Sequence, residues 1–579
     1  MLCLASALAL CALPSDAPNI VLIVTDDQGY GDYSYAEHGA LQTPNLDRLR
    51  RESPKVDRFY VSPVCSPTRA SLMTGRWNYR TGVTDTWIGR SMMRSEEVTI
   101  AERLGDAGYA TGIFGKWHLG DCYPMRPMDQ GFDTSLVHRG GGLAQPSEPP
   151  ENRRRYTDPV LFRNGVMVEA RGYCTDVFFD AALEFIDASL DGKAPFFCYV
   201  ATNAPHDPFH DVPAELYEKY AAEDLAPTLR GKSEQVDREA RICAMIENVD
   251  QNVGRLLQRL EERRVSRDTI VVFLSDNGPL WGRTTRGLRG YKTQPHEGGI
   301  RSPLFVRWPG QLNPETHVPQ IAAHVDVLPT LLEAAGVEGS ADEDSLDGRS
   351  LLPLLRGEEV DWRERHIFLQ SHRGNAPLPR KHFAVVGQRW KLVRASGFSG
   401  SSERQGAPYE LFDLVEDPAE SANLAAEHPR IVADLKRRYD AWFQDVTKGS
   451  GGVWTPPAIV LDADAEPTTA LTRQDLWFES GEGWSGGDIE GVWHLRSPEE
   501  TVRAATLLFT KPREVSVVRL EIREADSAVT ATSFSVSGTR ERFELGEIQI
   551  PKGEFTLSVR LWAAGEETNF HQLELGQLE

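Results

Sequence analysis

The chain predicts an α/β fold, a sheet with helices on both faces, followed by a small antiparallel region and a separate all-β module. Three observations carry that expectation. The apolar runs Asn19–Thr25, Pro195–Ala201 and Thr269–Ser275 are short, continuous and rich in β-branched or aromatic residues, as strands buried on both faces are. Helical patterns lie between them, at Val98–Leu104 and Asn252–Arg263. Beyond about residue 465 the chain alternates polar and apolar residues, as in Ser516–Ile522 and Phe555–Leu561, the pattern of a sandwich-like β module.

Taken in order, the chain opens with an apolar, small-residue stretch, 1–17, that has the h-region and cleavage region of a secretory signal without its positive n-region. It is too short to span a membrane, so export is expected and a membrane span is not. The α/β unit follows at 18–352. A subdomain at 353–448 carries antiparallel strands around Trp390–Val393 and Tyr409–Leu414 and a helix at His428–Val446. Gly449-Ser450-Gly451-Gly452 and the prolines 456 and 457 mark a linker at 449–464, and an accessory module occupies 465–579.

Composition bounds the function. The 579 residues carry 63 Lys+Arg against 85 Asp+Glu, a formal charge of −22. That balance argues against nucleic acid as a partner, since phosphate neutralisation would be unfavourable overall. It leaves room for an anionic substrate, because a few cations in one cleft reverse the local field. Seven cysteines in so long a chain do not make a disulfide scaffold; Cys3 and Cys11 fall in the leader, and the pairing of Cys122, Cys174, Cys198 and Cys243 stays open.

Each apolar run ends in polar residues: Asp26-Asp27, then Asn203 and His206, then Asp276-Asn277-Gly278. Ligand sites in open α/β sheets lie beyond the carboxyl ends of strands, so these clusters are expected to share one site. Asp26, Asp27, Asp276 and Asn277 offer hard oxygen ligands, suited to Ca²⁺ or Mg²⁺ rather than zinc. In Cys65-Ser66-Pro67-Thr68-Arg69, Ser66 suits a helix N-cap, Pro67 the first helical position and Gly75 the stop. Residue 65 then sits at a helix N-terminus, where free N–H groups favour negative charge, and Arg69 lies a turn away. Lys116 and His118 flank Trp117 in Gly115–Gly120, which puts both on one side of an extended segment. His206 closes Asn203-Ala204-Pro205-His206, and Lys292 closes Arg289-Gly290-Tyr291-Lys292, ahead of Glu297–Pro303.

These motifs, in this order over residues 19 to about 446, resemble those of the type I, formylglycine-dependent sulfatases, arylsulfatase-like members of the alkaline phosphatase superfamily. The resemblance implies an alkaline-phosphatase-like mixed sheet. It implies that a formylglycine-generating enzyme oxidises Cys65 to formylglycine, and that Asp26, Asp27, Asp276, Asn277 and residue 65 bind Ca²⁺, with Mg²⁺ as the alternative. It further implies that Lys116 holds the sulfate, that His118 acts on the formylglycine hydroxyl, that His206 protonates the leaving oxygen, that Lys292 lies near the bridging oxygen and that Arg69 helps neutralise the sulfuryl oxygens. Pro295-His296 departs from the bulky apolar or aromatic residues that many relatives carry there. The substrate class implied is an aryl sulfate or a sulfated carbohydrate. Trp87, Arg90, His138, Arg139, Arg283 and His372 lie in segments read as loops with access to sugar. Two rival readings stand beside this one: a phosphate or phosphonate monoester hydrolase of the same superfamily, and a non-catalytic sulfated-glycan-binding protein.

Overall fold

A computed structural model describes residues 17–578 apart from 37, 144, 230–234, 284, 338–344, 400–403, 405, 451–453, 479–490, 525–528 and 564–569. The expected leader lies outside the described residues except for Ala17. The central sheet has eight strands, in the order Leu304–Arg307, Thr269–Ser275, Asn19–Thr25, Phe196–Ala201, Ala110–Lys116, Thr134–His138, Val160–Arg163 and Val166–Glu169. The middle five run parallel, and antiparallel strands flank them on both sides, which makes the sheet mixed.

The apolar runs occupy the centre because both faces of the sheet are covered. Ile20, Leu22 and Val24 point into one core with Tyr199, Val272 and the helix Val327–Ala335. Val21 and Ile23 point into the other, with Cys198, Phe273 and the helices Cys174–Gly192 and Val236–Glu262. Register decides where the polar ends fall. Val24 lies opposite both Leu274 and Ala201, and Thr25 opposite Ser275. A one-residue slip would move one end by about 3.3 Å relative to its neighbour and separate the clusters.

The Val236–Glu262 helix starts well before the Asn252–Arg263 pattern that announced it. Its first half packs against the Ala214–Ala221 helix and buries residues such as Glu239, Asn248 and Asp250, so polar residues interrupt the apolar stripe that marks a helix in sequence. The other expected elements form close to their places: Ile100–Asp106, the antiparallel pair Trp390–Arg394 and Glu410–Asp413, and the helix Pro429–Thr447. Cys122, Cys174, Cys198 and Cys243 are buried free thiols.

The C-terminal module takes its first strand, Ile459–Val460, from within the expected linker. It is built on one long strand, Thr501–Glu524, whose first half pairs with Thr539–Ile550 and Gln572–Gly576 and whose second half pairs with Val529–Ser535 and Gly553–Ala563. A strand that changes partners midway joins two sheets over one core, here centred on Trp493, Leu507, Leu520, Leu557 and Leu573. That core continues onto Trp87, Ile88, Met92, Cys122 and Met125 of the α/β unit. No helix among the described residues is long and apolar enough to cross a membrane.

Behind the sheet, His324 is fully buried beside Trp77 and 3.2 Å from the Ser62 hydroxyl. Burial, helped by Arg365, holds its ring down from 6.5 to about 3. The folded chain therefore binds fewer protons there than the unfolded chain. The stability that neutral His324 contributes is complete above pH 6.5 and is lost as pH falls toward 3. His324→Gln should remove about 2 kcal/mol of the stability difference between about pH 7.5 and about pH 5. Urea unfolding at both pH values measures this, and an unchanged pH slope would exclude His324 as the titrating group.

Candidate active site

The site forms where adjacent parallel strands end. Successive side chains of a strand point to opposite faces, yet Asp26 and Asp27 both serve the site. Asp27 achieves this with φ 65, a left-handed conformation that aspartate tolerates better than most residues. From the neighbouring strand, Asn277 donates to Asp27 Oδ1 at 2.7 Å, and Asp276 Oδ1 accepts the Asp27 amide at 3.4 Å. His206 arrives from the end of Phe196–Ala201; its Nδ1 meets the Asp207 carbonyl at 2.8 Å and its Nε2 faces Asp27 Oδ2 at 3.8 Å. Ala110–Lys116 can approach so closely only because residue 115 is glycine: φ is +125, and a Cβ would lie 1.9 Å from the Ala201 carbonyl oxygen.

Cys65 opens the helix Cys65–Thr74, which therefore starts two residues earlier than a Ser66 cap would place it. Val64 is the N-cap, in extended conformation and without a side-chain hydrogen bond, and Gly75 ends the helix at φ 67. Cys65 Sγ lies 3.5 Å from His118 Nδ1 and, with Asp26 and Asp276, forms a buried group whose donor atoms all lie within 4.8 Å of one another. Trp117 turns into the core and donates its indole N–H to the Met125 carbonyl, so Lys116 and His118 face the site from either side of it.

Three carboxylates stand against three cations. Lys116 Nζ is 2.5 Å from Asp26 Oδ2, Lys292 Nζ is 2.6 Å from Asp27 Oδ1, and Arg69 binds Asp276 Oδ2 through Nε at 3.1 Å and Nη2 at 2.8 Å. Burial alone would raise Asp26, but Lys116, with His206, Arg69 and Lys292, holds it well below the usual carboxylate range. Asp276 goes the other way, up to about 6, through burial and then the charge on Asp26. Asp27 keeps Lys292 charged despite its burial. Burial raises the Cys65 thiol against the pull of Lys116 and Lys292.

His118 has a defined tautomer. A carbonyl can only accept, so the 2.7 Å contact from Nε2 to the Thr86 oxygen puts the proton on Nε2. The bare Nδ1 faces residue 65. Burial, then Lys116, holds the ring well below its ordinary value, which keeps it neutral. The ring fits because the chain alongside is glycine, since a Cβ on Gly141 would lie 2.6 Å from His118 Cε1.

The donor set suits a hard divalent cation. Asp26 Oδ1, Asp27 Oδ2 and Asn277 Oδ1 are buried acceptors without a hydrogen-bond partner. Buried polar atoms are nearly always satisfied, and three oxygens orphaned together are what a Ca²⁺ or Mg²⁺ ion would satisfy.

The structure thus brings together Asp26, Asp27, Cys65, Arg69, Lys116, His118, His206, Asp276, Asn277 and Lys292. It also changes one expected role. Arg69 is occupied by Asp276, the Lys116 carbonyl at 3.1 Å and the Tyr199 hydroxyl at 3.5 Å, so it braces Asp276 rather than presenting a free fork to a ligand. The residues read as accessible to sugar are largely interior. Arg283 pairs with Asp32 at 2.7 Å and donates to the Asp27 carbonyl at 3.1 Å; His138 ends a strand and faces Glu148 at 3.3 Å. Trp87, Arg90 and His372 are buried, and Arg139 lies over the Phe162 ring. His296 is buried 3.5 Å from Glu410. Thr86 escaped notice in the sequence because it acts through its backbone carbonyl. Gly141 carries a signal in the sequence, the run Gly140-Gly141-Gly142.

A family model described as Sulfatase matches residues 18–337, and one described as N-sulphoglucosamine sulphohydrolase, C-terminal, matches residues 291–444. N-acetylgalactosamine-6-sulfatase of Sus scrofa is 30% identical over 471 residues, covering 72% of this chain and 84% of its own. Arylsulfatase A of Homo sapiens is 30% identical over 496 residues, covering 76% and 89%. The crystal structure of Ps i-CgsB in complex with k-i-k-neocarrahexaose superposes with a TM-score of 0.63 at 27% identity, over 74% of this chain and 92% of that one.

Calcium added to chelator-treated protein should raise the unfolding midpoint by several degrees, since ligand at a hundred times its Kd stabilises by about 2.7 kcal/mol. Asp27→Asn and Asn277→Ala should each cut that response. Differential scanning fluorimetry reads it, and a midpoint indifferent to Ca²⁺ and Mg²⁺ would remove the cation from the site.

Proposed function

This chain belongs to the sulfatase family and is a sulfuric ester hydrolase, and from that premise we propose that it releases sulfate from a sulfated carbohydrate, using a formylglycine made from Cys65 and one divalent cation. The observation that carries the proposal is the setting of residue 65. It opens a helix, faces the unprotonated Nδ1 of His118 at 3.5 Å, and lies among Asp26, Asp276 and the ammonium groups of Lys116 and Lys292. Burial raises the thiol itself, so an unmodified cysteine is a poor nucleophile here. A formylglycine supplies what neither a thiol nor a serine hydroxyl offers, a hydrated aldehyde with two hydroxyls on one carbon, one to attack and one to help expel sulfate. Asp26, Asp27, Asp276 and Asn277 would hold the cation, which supplies Lewis-acid stabilisation of a sulfate oxygen.

The remaining roles belong to the chain's own side chains. His118 Nδ1 accepts a proton from the residue 65 hydroxyl. Lys116 and Lys292 bind the sulfate group and offset negative charge where it develops, in a buried setting where such charge is worth far more than in water. Arg69 keeps Asp276 oriented. His206 donates its Nδ1 proton to the Asp207 carbonyl, so it acts on the leaving oxygen as the doubly protonated imidazolium and gives up the proton on Nε2. Three carboxylates paired with three cations make the site near neutral before a divalent cation binds, which leaves a net positive pocket for an anionic ester. The substrate reading rests on the N-acetylgalactosamine-6-sulfatase relative and on the neocarrahexaose in the Ps i-CgsB structure. The apolar segment 1–17 supports export, and Cys65-Ser66-Pro67-Thr68-Arg69 supports maturation by a formylglycine-generating enzyme.

Protein produced with that enzyme should hydrolyse 4-nitrophenyl sulfate in preference to 4-nitrophenyl phosphate. The reverse preference would favour the phosphoester reading, and no turnover of either would favour a glycan-binding protein. His206→Ala should slow sulfated sugars by about 100-fold or more while costing much less on the activated aryl ester, whose leaving group needs no acid. Equal losses on both would remove His206 as the acid.

A further inference from the structure

The C-terminal β module reaches the chemistry through the side chain of Gln474. Its seam with the α/β unit is tight: the Gly89 amide donates to the Gln474 carbonyl at 2.7 Å, and the Arg90 guanidinium lies 4.5 Å from the centre of the Trp477 ring. Gln474 is 1% exposed, and its Nε2 lies 3.2 Å from the Thr86 carbonyl oxygen and 3.2 Å from Ser91 Oγ. The Thr86 carbonyl is the same oxygen that receives the Nε2 proton of His118 at 2.7 Å. A carbonyl oxygen has two lone pairs and no proton, so the Gln474 atom that meets it must be the amide nitrogen. One lone pair of Thr86 therefore serves His118 and the other serves Gln474. On the other side of the same residue, Asp85 Oδ1 accepts the Thr86 amide at 2.7 Å.

We infer that Gln474 is a positioning residue for the sulfatase reaction: it aims the Thr86 carbonyl, which in turn holds His118 in the tautomer and orientation that turn Nδ1 to residue 65. The α/β unit alone leaves that carbonyl in a loop, 85–93, whose apolar residues Trp87, Ile88 and Met92 are covered by the β module. The module thus completes the active site through the backbone carbonyl that holds His118. This rests on the proposed role of His118.

Gln474→Met keeps the side chain's length and removes its donor. In matured enzyme acting on 4-nitrophenyl sulfate it should lower kcat by about 10-fold and leave KM within about twofold, because it disturbs a proton acceptor and not a binding contact. In a His118→Ala background the same substitution should cost nothing further, since its effect runs through that ring. Leu573→Ala, a packing change in the module core at a side chain that makes no hydrogen bond to Gln474 or Thr86, separates positioning from general loosening: it should lower stability and leave kcat within about twofold. Selective ¹⁵N-histidine NMR on the unmatured thiol form reads the ring directly. The wild type should show His118 protonated at Nε2 with a proton protected from exchange, and Gln474→Met should lose that protection.

An unchanged kcat in Gln474→Met, an additive loss in the His118→Ala background, an equal loss in Leu573→Ala, or an undisturbed His118 proton would each overturn the inference. A wild type that releases no sulfate would instead defeat the parent reading, and the NMR result would still decide whether Gln474 positions the ring.

Discussion

Like charges crowded into a buried volume are the constraint from which the rest of this site follows. Asp26, Asp27 and Asp276 come from the ends of two adjacent strands and are almost wholly inaccessible to solvent. An unpaired buried carboxylate costs several kcal/mol, so the cluster persists only because Lys116, Lys292 and Arg69 each meet one member. The pairing is uneven. Asp26 is held ionised by Lys116, while Asp276 is pushed up to about 6 by burial and then by the charge on Asp26, against the pull of Arg69. A site balanced in this way has a use for one more divalent charge, and its orphaned oxygens on Asp26, Asp27 and Asn277 are where that charge would be felt most strongly.

Backbone geometry makes the crowding feasible. Regular strands would throw alternate side chains to opposite faces, so the site needs places where the alternation is broken. Asp27 and His118, at φ 65 and φ 61, supply two of them. Gly115 and Gly141 supply clearance, the first for strand against strand and the second for the His118 ring. Helix and sheet cores on both faces then hold the strand register within which these local departures line up.

Much of this was legible in sequence, for identifiable reasons. Strands buried on both faces read as unbroken apolar runs, and three such runs each ending in polar residues pointed to a shared site. The structure places them side by side in the sheet. What escaped was of a different kind. The Cys65–Thr74 helix starts two residues before the place its sequence suggests, because Ser66 looks like a cap but Val64 takes that position. Arg69, Arg283 and His138 are charged or polar and looked available, but burial pairs them with Asp276, Asp32 and Glu148. The support for His118 was invisible because it joins a backbone carbonyl at 86 to a side chain at 474, and neither end carries a local pattern. A module set apart by composition is, in the fold, packed against the loop behind the active site.

The most direct test of the proposed chemistry is the mass of the peptide that contains residue 65, from enzyme produced with a formylglycine-generating enzyme and shown to release sulfate. Conversion of thiol to aldehyde lowers the mass by about 18 Da, and the fraction converted should track the specific activity across preparations. Full activity in protein whose residue 65 is everywhere an unmodified thiol would contradict the assignment of the nucleophile.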